Sequence, residues 1–120
     1  MTNPYFGRLL TAMVTPFNAG GVDTLAMGRH AQWLVEHGSD GLVVCGSTGE
    51  AATMTLAEKK AAVQTVIDKV GGRTRIVVGA GTNCTASTLE LVKEISGMAI
   101  DGLLIVGPYY NKPTQEGMYQ

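Results

Sequence analysis

The sequence predicts an α/β fold built on a parallel sheet, and three features predict it. Short strand-like runs occur at residues 42–45, 75–78 and 103–106, and the first, apolar without alternation, has the character of a strand buried on both faces. Between them lie segments of roughly ten to sixteen residues whose apolar positions recur at helical spacing. A unit also repeats, once as Gly38-Ser39-Asp40-Gly41-Leu42-Val43-Val44-Cys45-Gly46 and again as Gly97-Met98-Ala99-Ile100-Asp101-Gly102-Leu103-Leu104-Ile105-Val106-Gly107. Strands alternating with helices leave two architectures, an open doubly wound sheet or a (β/α)8 barrel.

The elements follow in order. Residues 9–14 form a short apolar run that Thr15-Pro16 ends, because proline cannot donate to a strand ladder. Residues 18–22 are turn-like. Asp23 or Thr24 then caps a first helix whose apolar side carries Ala26, His30, Trp33, Leu34 and His37, with Gly38 as its stop. Both histidines are expected as helix residues at the core margin rather than as ligands. After the strand at 42–45, Thr55-x-x-Glu58 is a capping box, and Ala62, Val63, Val66, Ile67 and Val70 give the second helix its buried face. A third strand, 75–78, dissolves into Gly79-Ala80-Gly81-Thr82-Asn83. Thr85 is expected to cap a third helix that runs to about Ser96 and buries Leu89, Val92 and Ile95. A fourth strand ends at Gly107-Pro108, and residues 114–120 look like the first turn of a fourth helix.

Composition narrows the function classes. The chain is 45% hydrophobic and 16% charged, enough for a compact core and too apolar for disorder. Its net charge of -1 with no basic cluster gives no footprint for nucleic acid or an anionic membrane. Cys45 and Cys84, the two cysteines, suggest neither a disulfide framework nor a zinc site, so a reducing cytoplasm is the expected location. The N-terminal residues lack a basic segment followed by a long apolar core, and no apolar run approaches the ~18 residues of a membrane span.

The chemistry-bearing stretch is Gly46-Ser47-Thr48-Gly49-Glu50, directly after the second strand. Two glycines allow a tight turn and close backbone approach, and Ser47 and Thr48 add hydroxyls beside their N–H groups, so the loop suits a small anion such as a carboxylate. It lacks a P-loop lysine and the third glycine of a dinucleotide fingerprint. In either architecture ligands bind at strand C-termini. The loops at Thr15, 46–50, 79–83 and 108–112 all fall on that one face. Asp40 and Asp101 are expected in turn chemistry entering strands, and Glu50 is expected to tie its loop down through hydrogen bonds.

A barrel needs about 250 residues, so the 120-residue chain is expected to be the N-terminal half of a single barrel domain, supplying about the first four βα units. The other reading is a self-contained four-stranded sheet.

Thr15-Pro16-Phe17, Gly46-Ser47-Thr48-Gly49-Glu50, Gly79-Ala80-Gly81-Thr82-Asn83 and Pro108-Tyr109-Tyr110-Asn111-Lys112-Pro113-Thr114-Gln115-Glu116-Gly117 together resemble the pyruvate-dependent class I aldolase-like lyases. This is the family of dihydrodipicolinate synthases and N-acetylneuraminate lyases, and the tyrosine string is similar to the synthase branch. Serine at position 47, where most synthases carry threonine, is the lyase-like departure. The resemblance implies a (β/α)8 barrel that condenses pyruvate with L-aspartate 4-semialdehyde in lysine and diaminopimelate biosynthesis, through a Schiff base between pyruvate and a lysine. No metal or organic cofactor is implied. A Schiff-base lysine must be neutral to attack, which demands a desolvated pocket. Lys59, Lys60 and Lys69 are expected on the polar side of the second helix, Lys93 on the third and Lys112 in a loop. By the resemblance the reactive lysine and its partner tyrosine lie beyond Gln120, and this chain alone is expected to be inactive.

The same resemblance gives Ser47 and Thr48 the pyruvate carboxylate, and gives Ser47 a proton relay toward Tyr110, which in the family reaches across a tight dimer interface. Tyr109 would pack at that interface in a homodimer or homotetramer. A lysine feedback site would use Ala52, Lys59, Asn83, Ser87 and Tyr109. A cation at Lys59 and a hydroxyl at Ser87, where lysine-sensitive members carry a neutral group and a glutamate, imply weak inhibition by lysine. Two other functions stay in view: an N-acetylneuraminate lyase or other pyruvate-dependent aldolase, and a small non-catalytic α/β binding module.

Overall fold

The computed structural model describes residues 4–120. The reading of the N-terminus as leaderless therefore falls partly on residues outside the described ones. Four strands, β1 (Leu10–Ala12), β4 (Gly41–Val44), β5 (Arg75–Gly79) and β6 (Gly102–Leu104), form one parallel sheet in the order β1-β4-β5-β6. Helices α1 (Thr24–Glu36), α2 (Leu56–Val70) and α3 (Thr85–Ser96) alternate with these strands. The parallel α/β expectation is met. The segment read as a turn at 18–22 is instead a minimal antiparallel hairpin, β2 (Phe17–Asn18) with β3 (Gly21–Val22), closed where Gly20 N–H donates to the Asn18 side chain at 2.8 Å.

The core lies where sheet and helices meet. Leu42, Val44, Ile76 and Val78 from β4 and β5 are buried with Ala62, Val63, Val66 and Val70 of α2. Runs without polar alternation, Leu42 to Val44 and Ile76 to Val78, are what a sheet covered on both faces requires. The α2 capping box is formed as expected: the Thr55 side chain accepts from Glu58 N–H at 3.2 Å, and Glu58 accepts from Thr55 N–H at 2.8 Å. Two bonds that satisfy otherwise orphaned donors hold the chain direction out of the opening loop.

Three helix expectations need correction. The buried face of α1 is Met27, Gly28 and Ala31, with Leu34 and Val35 half-buried, whereas Trp33 stays 54% exposed and His37 stacks on it at 4.1 Å. α2 lies alongside: a Cβ at Gly28 would already be in van der Waals contact, 3.7 Å, with the Thr65 and Lys69 side chains, while Met27 reaches into the core. Thr85 does not cap α3. Cys84 holds the cap position without a side-chain bond, and Thr88 instead accepts from Thr82 N–H at 3.0 Å. In the same helix Leu91 and Ile95 are buried, while Leu89 is 56% exposed. The fourth strand is also shorter than expected, since Ile105 and Val106 lie past β6 with about half their surface exposed. Asp23 caps α1 and Thr114 caps the short α4 (Gln115–Tyr119).

The repeated Asp-Gly pairs do the same work twice at the N-terminal edge of the sheet. Asp40, just before β4, accepts from Arg8 N–H at 2.7 Å and Leu9 N–H at 2.9 Å, at the start of neighbouring β1. Asp101, just before β6, accepts from Ile76 N–H at 2.9 Å in neighbouring β5 and pairs with Arg75 at 2.7 Å. Each carboxylate thus pins the next strand's backbone. The two N–H donors also hold the Asp40 carboxyl below its usual range. This edge is opposite the one that carries the glycine-hydroxyl loops.

Candidate active site

At the C-terminal ends of β4, β5 and β6 a cleft of about 540 Å³ opens. Cys45, Gly46 and Ser47 line it from β4, Gly79, Gly81 and Thr82 from β5, and Leu104, Val106 and Tyr109 from β6; Ala51, Ala52 and Lys59 close the side toward α2. The convergence of strand-end loops expected from topology is therefore present for three of the four strands.

The loop after β4 is wound as one turn. Gly49 N–H donates to Gly46 O at 3.1 Å and Glu50 N–H to Ser47 O at 3.1 Å, after which Ala51–Thr53 form a 3-10 turn. The N–H groups of Ser47 and Thr48, at the start of the turn, donate to no acceptor among the described residues. Two adjacent free donors next to two hydroxyls are what an oxyanion needs. The buried Thr15 hydroxyl donates to Gly49 O at 2.7 Å and ties the turn to the end of β1.

The glycines of this loop act differently from the sequence expectation. Neither Gly46 nor Gly49 has a positive φ; the left-handed positions are Cys45 (φ 55) and Glu50 (φ 59). Gly49 is small because it presses on β1, where a Cβ would lie 3.1 Å from Thr15 Oγ1 and 3.2 Å from Met13 O. Glu50 anchors the turn through its backbone, with Thr53 Oγ1 donating to Glu50 O at 3.1 Å, and its side chain makes no bond among the described residues. Left-handed backbone at non-glycine residues carries no sequence signal, so these two positions were not foreseen.

The other candidates divide between the cleft and its surroundings. Ser47, Ala52, Lys59 and Tyr109 share the cleft. Lys59 is half-buried there, so the expectation that it sits on the polar side of α2 is corrected; its first-turn position on α2 turns it toward the strand ends. It also lines an outer groove with Thr82 and Ser87. Thr48 and Asn83 are exposed and outside the cleft lining. Tyr110 is 92% exposed, at φ 73 in the loop after β6, and its neighbour Lys112 is also left-handed at φ 44. Lys60 pairs with Glu94 at 2.9 Å, and Lys69, Lys93 and Lys112 are exposed. The buried Cys45 thiol is pushed up to about 11 by desolvation, against a small opposing pull from Lys59, so it stays protonated. Among the described residues no three His, Cys, Asp or Glu side chains are grouped to hold a metal ion.

The sequence model of the Dihydrodipicolinate synthetase family matches residues 5–120, nearly the whole chain. The chain belongs to the dihydrodipicolinate synthetase family. Within it, the chain is 53% identical over 116 residues to the 4-hydroxy-tetrahydrodipicolinate synthase of Moorella thermoacetica, covering 96% of this chain and 40% of that protein. The corresponding synthase of Heliobacterium modesticaldum is 52% identical over 116 residues, covering 96% and 39%. A crystal structure of dihydrodipicolinate synthase from Bacillus anthracis superimposes with a TM-score of 0.91 at 40% identity, over 96% of this chain and 40% of that one. The chain thus spans about two fifths of the length of the relatives it matches. The synthetase-family structures are (β/α)8 barrels, and these α/β units with their parallel sheet correspond to the N-terminal part of that architecture. Among the described residues no helix is long and apolar enough to cross a membrane.

Proposed function

We propose that this chain is the pyruvate-binding part of a Schiff-base-forming 4-hydroxy-tetrahydrodipicolinate synthase, which condenses pyruvate with L-aspartate 4-semialdehyde on the way to diaminopimelate and lysine. The observation that carries the reading is the free, adjacent N–H pair of Ser47, which lines a strand-end cleft, and Thr48, which follows it, in a chain about half identical to proteins of that name.

In this reading the pyruvate carboxylate lies on the Ser47 and Thr48 amides and hydroxyls. Its keto carbon then faces a lysine supplied by a segment outside residues 1–120, whose neutral amine adds to the carbonyl and releases water. The Ser47 hydroxyl, which both donates and accepts, passes a proton toward Tyr110. The full exposure of Tyr110 supports a role in which its ring packs into a second subunit of a homodimer or homotetramer. Residues 1–120 would then be the N-terminal half of one barrel domain working in the cytoplasm.

The test uses the full natural chain with pyruvate and either aspartate semialdehyde or N-acetylmannosamine. Turnover with the semialdehyde alone supports the synthase. Turnover with the sugar, which serine at position 47 would favour, assigns a neuraminate lyase, and turnover with neither removes the proposal.

A further inference from the structure

We propose that Cys45 and Gly79 form a single positioning device for the Ser47–Thr48 turn, Cys45 as the residue that redirects the chain and Gly79 as the space that lets it do so. The inference rests on the reading of that turn as a carboxylate site, and it adds two residues to which that reading gives no role.

The argument begins at the end of β4. A strand continued in extended conformation past Val44 would carry the peptide on between its neighbours; instead Cys45 adopts φ 55, a conformation that L residues enter only when their surroundings hold them there. The surroundings are visible. The Cys45 side chain is 1% exposed and packed with the core cluster. The peptide that follows it lies directly on the adjacent strand, where a Cβ at Gly79 would meet Cys45 O at 2.0 Å, Cys45 C at 2.7 Å and Gly46 Cα at 3.1 Å. On the other side Gly49 closes back on the same residue, its own Cβ position lying 3.4 Å from Cys45 Cα. The bent peptide therefore fits only because Gly79 carries no side chain, with Gly49 in contact with the same residue. The free N–H groups of Ser47 and Thr48 come immediately after this bend, so its angle sets where they point.

Gly79 is the sensitive member. A methyl group there must move from 2.0 Å to beyond 3.0 Å from the Cys45 carbonyl, a displacement of about 1 Å, and misplacing a binding group by that much can change rates by about 100-fold. The amides hold the carboxylate in ground state and transition state alike, so their displacement raises KM, and because the same turn carries the Ser47 relay hydroxyl, kcat falls with it. At Cys45 the backbone conformation matters, not the thiol, which burial keeps protonated. Glycine should keep the bend at a cost in core packing, and a β-branched residue should not keep it.

The experiment uses the full natural chain and its variants Gly79→Ala, Cys45→Gly and Cys45→Val, reading pyruvate KM and kcat together with amide hydrogen exchange at residues 46–51. Gly79→Ala and Cys45→Val should each raise KM for pyruvate by about tenfold or more and lower kcat as well, and should speed exchange at Gly49 and Glu50. Cys45→Gly should raise KM less than Cys45→Val does, because glycine enters the left-handed region without strain. The proposal is overturned if Gly79→Ala and Cys45→Val leave both KM and exchange unchanged, or if Cys45→Gly raises KM as much as Cys45→Val. Faster exchange with no pyruvate turnover in the parent would uphold the device and remove the functional reading.

Discussion

Thr15→Val removes the one hydroxyl that ties the proposed carboxylate turn to the segment after β1, and keeps the side-chain shape. In the parent the buried Thr15 hydroxyl donates to Gly49 O at 2.7 Å across 34 residues of chain. Valine fills the same volume but leaves the Gly49 carbonyl without that donor in a buried position. Leaving a buried acceptor unsatisfied costs about 1–3 kcal/mol, which is roughly a fivefold to 150-fold shift in the folding equilibrium, at 1.4 kcal/mol per factor of ten. Equilibrium urea unfolding of the full natural chain should show the midpoint falling with an unchanged m-value. The loss of the tie should also loosen the 46–51 turn, so pyruvate KM should rise. Thr15→Ser keeps the hydroxyl and should hold KM near the parent value. A Thr15→Val loss under about 0.5 kcal/mol, the range of ordinary surface changes, with KM unchanged would refute the claim that β1 anchors the turn.

The other predictions follow from single groups. Iodoacetamide near neutral pH should label Cys84 well before Cys45 by peptide mass spectrometry, because Cys84 is exposed with its pKa lowered by Ser87 and Ala86 at the start of α3, whereas Cys45 is buried with its pKa raised to about 11; equal labelling of the native protein would contradict the burial. Asp40 has a folded pKa below the ordinary 3.8, so it stabilises the fold at higher pH and loses that contribution as pH falls through the folded value. Asp40→Asn should therefore be less stable near neutrality and flatter in its acid limb, measured by urea midpoints from neutral pH down to about 3. On the proposed reading, lysine should inhibit the full natural chain weakly, because Lys59 and Ser87 stand where the resemblance implies a neutral group and a carboxylate; half-inhibition below millimolar lysine in a steady-state assay would count against that.

Much of the fold was readable because its signals are local. The α2 capping box needs only Thr55 and Glu58 three residues apart, and the non-alternating runs of β4 and β5 state their own burial. The repeat of Asp40-Gly41 and Asp101-Gly102 was also visible as a pattern. Its purpose was not, because each aspartate bonds to backbone 25 or more residues away. The face of α1 was misassigned for a related reason: helical spacing favoured the large Trp33, while the buried positions are Met27, Gly28 and Ala31, with His30 half-buried at the core margin as expected. At the site, the hydroxyl pair was legible and the left-handed backbone at Cys45, Glu50 and Tyr110 was not, since sequence assigns that conformation to glycine by default. The β6 end shows the same limit, where an apolar run predicts four strand residues and the ladder supports three.

The central claim is that this chain holds the keto-acid carboxylate and does not supply the amine. Pyruvate followed by borohydride tests it most directly, on the 120-residue chain and on the full natural chain in parallel, with the adduct mapped by mass spectrometry. The account predicts no adduct on the short chain, and on the full chain one stable pyruvyl adduct on a single lysine outside residues 1–120. An adduct on Lys59, the one lysine that lines the cleft, or no adduct on the full chain, would contradict it.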